Sequence, residues 1–130
     1  MIYLDTSVVL AQLLAEDRQP PDTIWSQPLV SSRLLEYEVW TRLHARKLAE
    51  SHGEAVRSFL ARLAFLELAV PVLARALEPW PLPVRTLDAL HLASVVFLRG
   101  QGQTVLLASY DDRQVAVARA LGLELADLAS

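Results

Sequence analysis

The sequence predicts an α/β fold, in which helices cover both faces of a central parallel sheet. Two short apolar runs, at residues 2–4 and 104–109, have the length and composition of buried strands. Helical segments follow both runs, and strands that alternate with helices indicate right-handed crossovers between parallel strands. The 130 residues contain neither internal repeats nor a linker rich in proline or glycine. We therefore predict a single domain over residues 1–130.

The first half of the chain is predicted to contain two strands and three helices. Pro20 and Pro21 separate the first helical region from the second strand. Ser32 suits the N-cap of a long second helix, and the spacing of Ser51 and Glu54 matches a capping box at the start of a third. The expected strands span residues 2–4 and 29–31, and the expected helices span residues 6–14, 32–48 and 51–68.

The second half is predicted to complete the sheet. Pro71 restricts the run at residues 69–72 to an edge strand, because proline cannot donate a hydrogen bond to the sheet. The proline-rich segment at residues 78–84 is expected to be a loop. The remaining expected strands span residues 104–109 and 123–126, and the expected helices span residues 73–77 and 86–98 and a capped segment that ends at Gly122.

Composition excludes several classes of function. The absence of cysteine rules out disulfides, thiolate metal sites and cysteine nucleophiles, so a metal would need oxygen or imidazole ligands. The net charge of −3 argues against a general nucleic-acid binder. The first residues lack the basic region of a signal peptide, and no apolar run approaches the roughly 20 residues of a membrane span. We expect a cytoplasmic protein that does not bind membranes.

Acidic residues occur where the predicted parallel strands end. Asp5 follows the first strand, and Asp111 lies two residues beyond the strand that ends near Ser109. In parallel α/β sheets, ligands bind beyond the carboxyl ends of the strands, where the strand order reverses. Each aspartate is equally suited to be a cap or first-turn acid of the helix that follows it. The pattern of residues leaves both roles open.

Two predicted helices carry further acids. Asp88 shares a helix face with largely apolar residues, and a carboxylate in such surroundings needs a partner, a proton or a cation. Its alternative role is a first-turn acid that interacts with the helix dipole. On the helix at residues 32–48, periodicity does not separate Glu38 from Glu36. The alternative role of Glu38 is an exposed ion pair with Arg42.

Four stretches of the sequence, taken together, resemble the PIN domain family, specifically the VapC-type toxins of bacterial and archaeal toxin–antitoxin systems. These stretches are "YLDTS", "SSRLLEYEVWTR", "RTLDALHLA" and "LLASYDDRQVAVARALGL", and they occur in this order over nearly the whole chain. Ser109 stands where the family usually has threonine, and Asp112 is an extra acid beside the last motif position. By this resemblance, the family's four acidic positions are Asp5, Glu38, Asp88 and Asp111.

The resemblance implies a three-layer α/β/α sandwich with a five-stranded parallel sheet. It also implies an endoribonuclease that depends on Mg²⁺ or Mn²⁺, cuts RNA and is blocked by a cognate VapB-type antitoxin. A homodimer is expected from the resemblance and from a surplus of apolar helix surface. The chain departs from the family in the proline-containing stretch at residues 15–28 and at Pro71, which affects loop geometry more than chemistry.

The chemistry of clustered carboxylates gives each acid an expected role. Carboxylates that converge raise one another's pKa, so they stay ionised together only when a cation joins them. All-oxygen ligands at an exposed rim favour Mg²⁺ or Mn²⁺ over zinc. We expect Asp5 and Asp88 to be the central ligands and Asp111 to bind directly or through water. Glu38 is expected to position the attacking water.

Supporting roles are expected for hydroxyl and arginine side chains near these acids. Ser109, together with Thr6 or Ser7, would hold waters or phosphate oxygens, and Asp112 would substitute for Asp111 or contribute to the site. His91 lies one helical turn from Asp88, but its apolar neighbours favour a structural role. Three arginines would steer phosphate into the site unless they are simply solvated, namely Arg33, Arg42 and Arg85.

Rival functions remain open at this point. A catalytically inactive PIN-like domain would bind RNA or a protein without cutting. A phosphoryl-transfer enzyme with Asp5 as nucleophile would need a second acid where Ser7 stands, and a receiver-like domain would need a lysine after a late strand. Lys47 is the only lysine and lies on the second predicted helix. The four filled acidic positions favour the nuclease.

Overall fold

The computed structural model describes residues 1–129 and contains a five-stranded sheet in which all paired strands are parallel. The strands are Ile2–Leu4 (β1), Leu29–Ser32 (β2), Ala64–Leu66 (β3), Leu106–Ala108 (β4) and Glu124–Leu125 (β5). They lie in the order β3-β2-β1-β4-β5, and the predicted five-stranded parallel sheet is confirmed. The helices are Thr6–Leu13 (α1), Leu34–Ala45 (α2), Ala49–Leu60 (α3), Val70–Ala76 (α4), Thr86–Gly100 (α5) and Asp112–Ala120 (α6).

Strand β1 shows how helices come to cover both faces of the sheet. Successive side chains of a strand point to opposite faces. Ile2 and Leu4 pack into one core cluster with residues of α1, α2 and α3. Tyr3 packs into a second cluster with residues of α5 and α6. The predicted three-layer α/β/α arrangement is therefore confirmed, with β1 buried in the middle layer.

The strand order reverses beside β1. The chain builds β2 and β3 on one side of β1 and then crosses back to add β4 and β5 on the other. Ile2 is aligned with Leu29 of β2 and with Leu106 of β4, so the carboxyl ends of the central strands meet at one edge. That edge is where an open parallel sheet binds its ligands.

The prediction for the third strand is wrong. The strand is Ala64–Leu66, which pairs with β2, and residues 70–76 form helix α4. Pro71 lies in the first turn of α4, where its missing N–H costs nothing because first-turn amides have no partner within the helix. The predicted helix at 51–68 is too long, since α3 ends at Leu60 before the strand begins.

The boundary between α2 and α3 also differs from the prediction. Helix α2 ends at Ala45, and Lys47 has a left-handed φ of 56°, so the chain turns before α3 begins at Ala49. The predicted capping box at Ser51 is wrong, because its hydroxyl donates back to the Leu48 carbonyl within the first turn of α3. The Ser32 hydroxyl accepts a hydrogen bond from the N–H of Leu34, close to its predicted capping role.

A glycine lies in the turn that follows each of the last two helices, α5 and α6. Gly102 and Gly122 have φ values of 85° and 71°, a left-handed conformation that glycine adopts without a side-chain clash. A short 3₁₀ helix at Asp22–Ser26 occupies the proline-containing stretch before β2. Among residues 1–129, every helix falls short of the length and apolar character that a membrane-crossing helix needs.

Candidate active site

The acids at the four predicted positions come from four separate segments and, together with Glu16, line one cavity of about 400 Å³ at the carboxyl edge of the sheet. Asp5 follows β1, and Asp111 follows β4. Glu38 projects from α2, and Asp88 lies in the first turn of α5. We call this cavity the acid cleft; its lining residues that the argument uses are Asp5, Thr6, Ser7, Glu38, Arg42, Arg85, Asp88 and Asp111.

Asp5 is both a helix cap and part of the cleft. It is 5% exposed, and its Oδ2 accepts hydrogen bonds from the backbone N–H of Ser7 at 3.1 Å and from the Ser7 hydroxyl at 2.5 Å. The Ser109 hydroxyl donates to the same oxygen at 3.3 Å. The side-chain amide of Gln114 donates to Oδ1, also at 3.3 Å. These donors hold the carboxylate in one orientation.

Asp111 has the same double role at the start of α6. Its Oδ1 accepts hydrogen bonds from the backbone N–H groups of Arg113 at 2.9 Å and Gln114 at 3.1 Å. Its own N–H donates to the Ser109 hydroxyl at 3.0 Å. Ser109 therefore joins Asp5 to the backbone of Asp111. The two roles that the sequence left open for these aspartates are not alternatives.

The surroundings of Asp88 disfavour the charged form of its carboxyl. Partial burial raises the pKa of its carboxyl, and the nearby charges of Asp111 and Asp5 raise it further. His91 and Arg85 act in the opposite direction but do not reverse the shift. The charges of Asp111 and Asp5 thus lie close enough to Asp88 to disfavour its ionised form.

Glu38 is held by a chain of buried groups. Its Oε1 accepts a hydrogen bond from the Thr6 hydroxyl at 2.9 Å and lies 2.6 Å from Nε2 of His91. The Tyr3 hydroxyl lies 2.7 Å from the other ring nitrogen, Nδ1. Glu36, which the sequence could not separate from Glu38, pairs with Arg33 instead. The structure thus places Glu38, and not Glu36, in the acid cleft.

His91 contacts the site, although the sequence favoured a purely structural role for it. Its side chain is 1% exposed, and Nε2 lies 4.0 Å from Oδ1 of Asp5. Burial lowers the pKa of His91, but the hydrogen bond to Glu38 and the charges of Asp5, Glu38 and Asp88 outweigh burial, so that the pKa is raised. The only signal in the sequence was its spacing of one helical turn from Asp88.

Gln114 is the second residue that the sequence analysis missed. Its side chain is fully buried, its amide donates to Asp5, and its Oε1 has no hydrogen-bond partner within residues 1–129. A glutamine three residues after Asp111 gives no pattern that distinguishes it from a surface residue of α6. Its contact with Asp5 depends on how α6 packs against the end of β1, which the local sequence does not show.

The other residues predicted to support the site fall into two groups. Thr6, Ser7, Arg42 and Arg85 line the acid cleft, and Ser109 lies behind Asp5. Asp112 lines a separate cavity together with Arg18 and Tyr110. Arg33 forms ion pairs with Glu36 and Glu67. Asp112 and Arg33 are therefore not part of the lining of the acid cleft.

The cleft supplies oxygen ligands, although its acids do not already converge on one point. Among residues 1–129, no group of three or more His, Cys, Asp or Glu side chains is arranged to hold a metal ion by itself. The carboxylates of Asp5, Glu38 and Asp111 accept hydrogen bonds from neighbouring protein groups. A hard divalent cation that keeps some of its waters is the ion that such a donor set fits best.

A family model and two relatives of known name agree on the family to which this chain belongs. The family model described as "PIN domain" matches residues 2–120. Ribonuclease VapC46 of Mycobacterium tuberculosis (strain ATCC 25618 / H37Rv) is 35% identical over 126 residues, which cover 94% of this chain and 93% of that protein. Ribonuclease VapC47 of Mycobacterium tuberculosis (strain CDC 1551 / Oshkosh) is 29% identical over 129 residues, with coverage of 94% and 93%.

A solved structure shares the fold. One chain of a toxin–antitoxin complex from Klebsiella pneumoniae superposes with a TM-score of 0.68 at 16% identity. The match covers 89% of this chain and 91% of that chain. At this level of identity the match supports the fold alone.

Proposed function

The chain belongs to the PIN domain family, among its VapC-type ribonucleases, and on this premise we propose that it is an endoribonuclease and the toxin of a type II (VapBC) toxin–antitoxin pair. The observation that carries the proposal is the acid cleft, in which Asp5, Glu38, Asp88 and Asp111 line one cavity although they are far apart in sequence. The substrate is RNA, and the reaction is hydrolysis of a phosphodiester bond.

Mg²⁺ or Mn²⁺ is the proposed cofactor, with Asp5 and Asp88 as central ligands and Asp111 bound directly or through water. The raised pKa of Asp88 supports this assignment, because its causes include the charges of the other two aspartates, which a cation would offset. Mg²⁺ usually binds one or two carboxylates, several waters and substrate phosphates. A cleft whose acids do not converge in the free protein is compatible with a site that RNA completes. When bound, the cation would polarise the phosphate and stabilise the leaving oxygen.

The protein's own groups would position the reactants. Glu38 orients the attacking water and accepts its proton, because its carboxylate lines the cleft and is held by Thr6 and His91. Thr6 and Ser7 at the start of α1 hold waters or phosphate oxygens, and Ser109 keeps Asp5 in place. Arg42 and Arg85 line the cleft and are exposed, so they attract the RNA backbone to an otherwise negative pocket.

The test is an RNA cleavage assay with and without Mg²⁺ or Mn²⁺. We expect cleavage that EDTA abolishes and that Asp5→Asn and Asp88→Asn reduce to background. Asp22→Asn serves as the matched control, because Asp22 is an exposed aspartate on the 3₁₀ helix, outside the cleft lining. RNA binding without cleavage, in the presence of either metal, would instead support the catalytically inactive PIN-like binding domain.

Two protein partners complete the proposal. The first is a cognate VapB-type antitoxin, which would cover the acid cleft and abolish cleavage when added in equimolar amount. The second is another copy of the chain. Five large apolar side chains on α4, in the loop that follows it and at the start of α5 are exposed in the single chain, namely Val70, Leu73, Leu77, Leu82 and Leu87. Leu77 is 89% exposed, which is unusual for leucine unless a partner covers it.

The dimer is tested by light scattering of the purified protein. The wild type is expected to elute as a dimer, and Leu77→Glu as a monomer with unchanged circular dichroism. A monomeric wild type would exclude the homodimer without affecting the nuclease assignment.

A further inference from the structure

We infer that His91, held by Tyr3, is a positioning residue that fixes the Glu38 carboxylate for the attacking water. This inference rests on the proposed function and names residues that the four acidic motif positions do not include. The three side chains come from three elements, β1, α5 and α2, and only Glu38 among them lines the acid cleft. We call them the Tyr3–His91–Glu38 chain.

The first step is the geometry of the chain. Tyr3 and His91 are 0% and 1% exposed, so water does not compete for their polar atoms. The Tyr3 hydroxyl lies 2.7 Å from Nδ1, and Nε2 lies 2.6 Å from Oε1 of Glu38. The two rings also meet edge to face, with centroids 5.8 Å apart and an interplanar angle of 77°. The imidazole is therefore held at both nitrogens and packed against the Tyr3 ring.

The second step is the direction of the hydrogen bonds. Burial raises the pKa of Tyr3 far above its usual value, so its phenol keeps its proton. When His91 is neutral, its Nδ1 accepts a hydrogen bond from the Tyr3 hydroxyl, and the single ring proton is therefore on Nε2. A charged His91 carries a proton on both nitrogens, and the phenol oxygen then accepts. In either state Nε2–H donates to Glu38, so the orientation of the carboxylate does not depend on the charge of the ring.

The third step is the effect on Glu38. Oε1 receives hydrogen bonds from both His91 and Thr6, and these are the two contacts assigned to this carboxylate within residues 1–129. With Oε1 held in this way, Oε2 is the oxygen that remains to accept a proton from water. Without the hydrogen bond from His91, the Glu38 side chain, which is 20% exposed, can rotate about its terminal torsion and lose the productive geometry.

The experiment compares Tyr3→Phe and His91→Asn with the wild type, with kcat and KM measured separately on one RNA. The Tyr3–His91–Glu38 chain acts on the orientation of a reacting group. We therefore expect kcat to fall about 10- to 100-fold for His91→Asn and less for Tyr3→Phe, with KM unchanged. The controls are Tyr37→Phe and His44→Asn, both at exposed positions on α2. Thermal unfolding shows whether each variant is folded.

A double-mutant cycle separates positioning from a general structural effect. In a Glu38→Gln background, the residual cleavage is measured under single-turnover conditions, and His91→Asn should have little further effect on it if His91 acts through Glu38. An equal loss of kcat in both backgrounds, or a change confined to KM, would overturn the inference.

A spectroscopic readout makes the inference independent of the nuclease reaction. In ¹⁵N NMR spectra of the metal-free protein, His91 should show a protonated Nε2 in the wild type, and the Nδ1 resonance should shift in Tyr3→Phe, where Nδ1 loses its phenol partner. An unprotonated Nε2 in the wild type would overturn the inference. If the wild type fails to cleave any RNA, the proposed function fails, and the tautomer measurement still decides whether Tyr3 and His91 orient Glu38.

Discussion

The four acids of the cleft are held in two different ways. Asp5 and Asp111 are N-caps of α1 and α6, and their carboxylates accept hydrogen bonds from backbone N–H groups. Asp88 and Glu38 cap no helix: the pKa of Asp88 is raised by burial and by like charges, and Glu38 depends on Thr6 and His91. At the caps, the same atoms stabilise the fold and form the site. At Asp88, the charged carboxylate that the proposed site needs is disfavoured by burial and by like charges in the folded protein.

The largest combined effect is expected at Asp5. Asp5→Ala should abolish cleavage and lower the free energy of unfolding by about 2–4 kcal/mol, because it removes an N-cap and leaves the buried amide of Gln114 without its acceptor. Urea unfolding followed by circular dichroism measures the loss. Asp5→Asn keeps the cap and should lose cleavage with a much smaller loss of stability. A stable Asp5→Ala variant would show that fold and site do not share this carboxylate.

Asp88 should show the opposite relation. Asp88→Asn is expected to abolish cleavage while leaving the free energy of unfolding of the metal-free protein unchanged or raised by up to about 1 kcal/mol. The substitution removes a partly buried charge that Asp111 and Asp5 repel, and solvent screening keeps the gain small. The same urea measurement tests it. A loss of stability as large as that of Asp5→Ala would erase the distinction between the two kinds of acid.

This difference explains which parts of the site the sequence could predict. Asp5 and Asp111 are recognisable because strand ends and helix starts are local features, and parallel topology brings them together. Asp88 is recognisable from its apolar helix face. Glu38 and Glu36 occupy similar positions on one helix, and only the family resemblance or the packed structure separates them.

The remaining features depend on contacts between distant segments. His91 lies 88 positions from Tyr3, and Gln114 lies 109 positions from Asp5, so that neither hydrogen bond leaves a local pattern. A five-stranded parallel sheet was predicted, but the residues of its strand β3 were not. Pro71 was taken to interrupt a strand, whereas it begins α4, because proline is compatible with both an edge strand and the first turn of a helix.

The pH dependence of stability tests how Glu38 is held. The pKa of His91 is raised in the folded protein, so the folded state binds its proton more tightly than the unfolded state does. The stabilisation should be fully present below the ordinary histidine value of 6.5 and should be lost as the pH rises through the higher folded value. Urea unfolding of the metal-free protein between pH 6 and 9, compared with His91→Asn, measures it. A wild-type slope equal to that of the variant would contradict the coupling.

The smallest effect is expected at Asp112, next to one of the cap acids. Asp112 is the first residue of α6, and its exposed carboxylate lines a cavity separate from the acid cleft, together with Tyr110. Asp112→Asn should therefore leave cleavage within about twofold of the wild type and cost only a few tenths of a kcal/mol through the helix dipole. Asp111→Asn, one residue earlier, should reduce cleavage strongly while an asparagine still caps the helix. Both substitutions remove one negative charge from adjacent residues, so a difference in cleavage between them reports only on the position of the carboxylate. A loss at Asp112 equal to the loss at Asp111 would mean that net negative charge at the start of α6, and not a carboxylate in the cleft, determines activity.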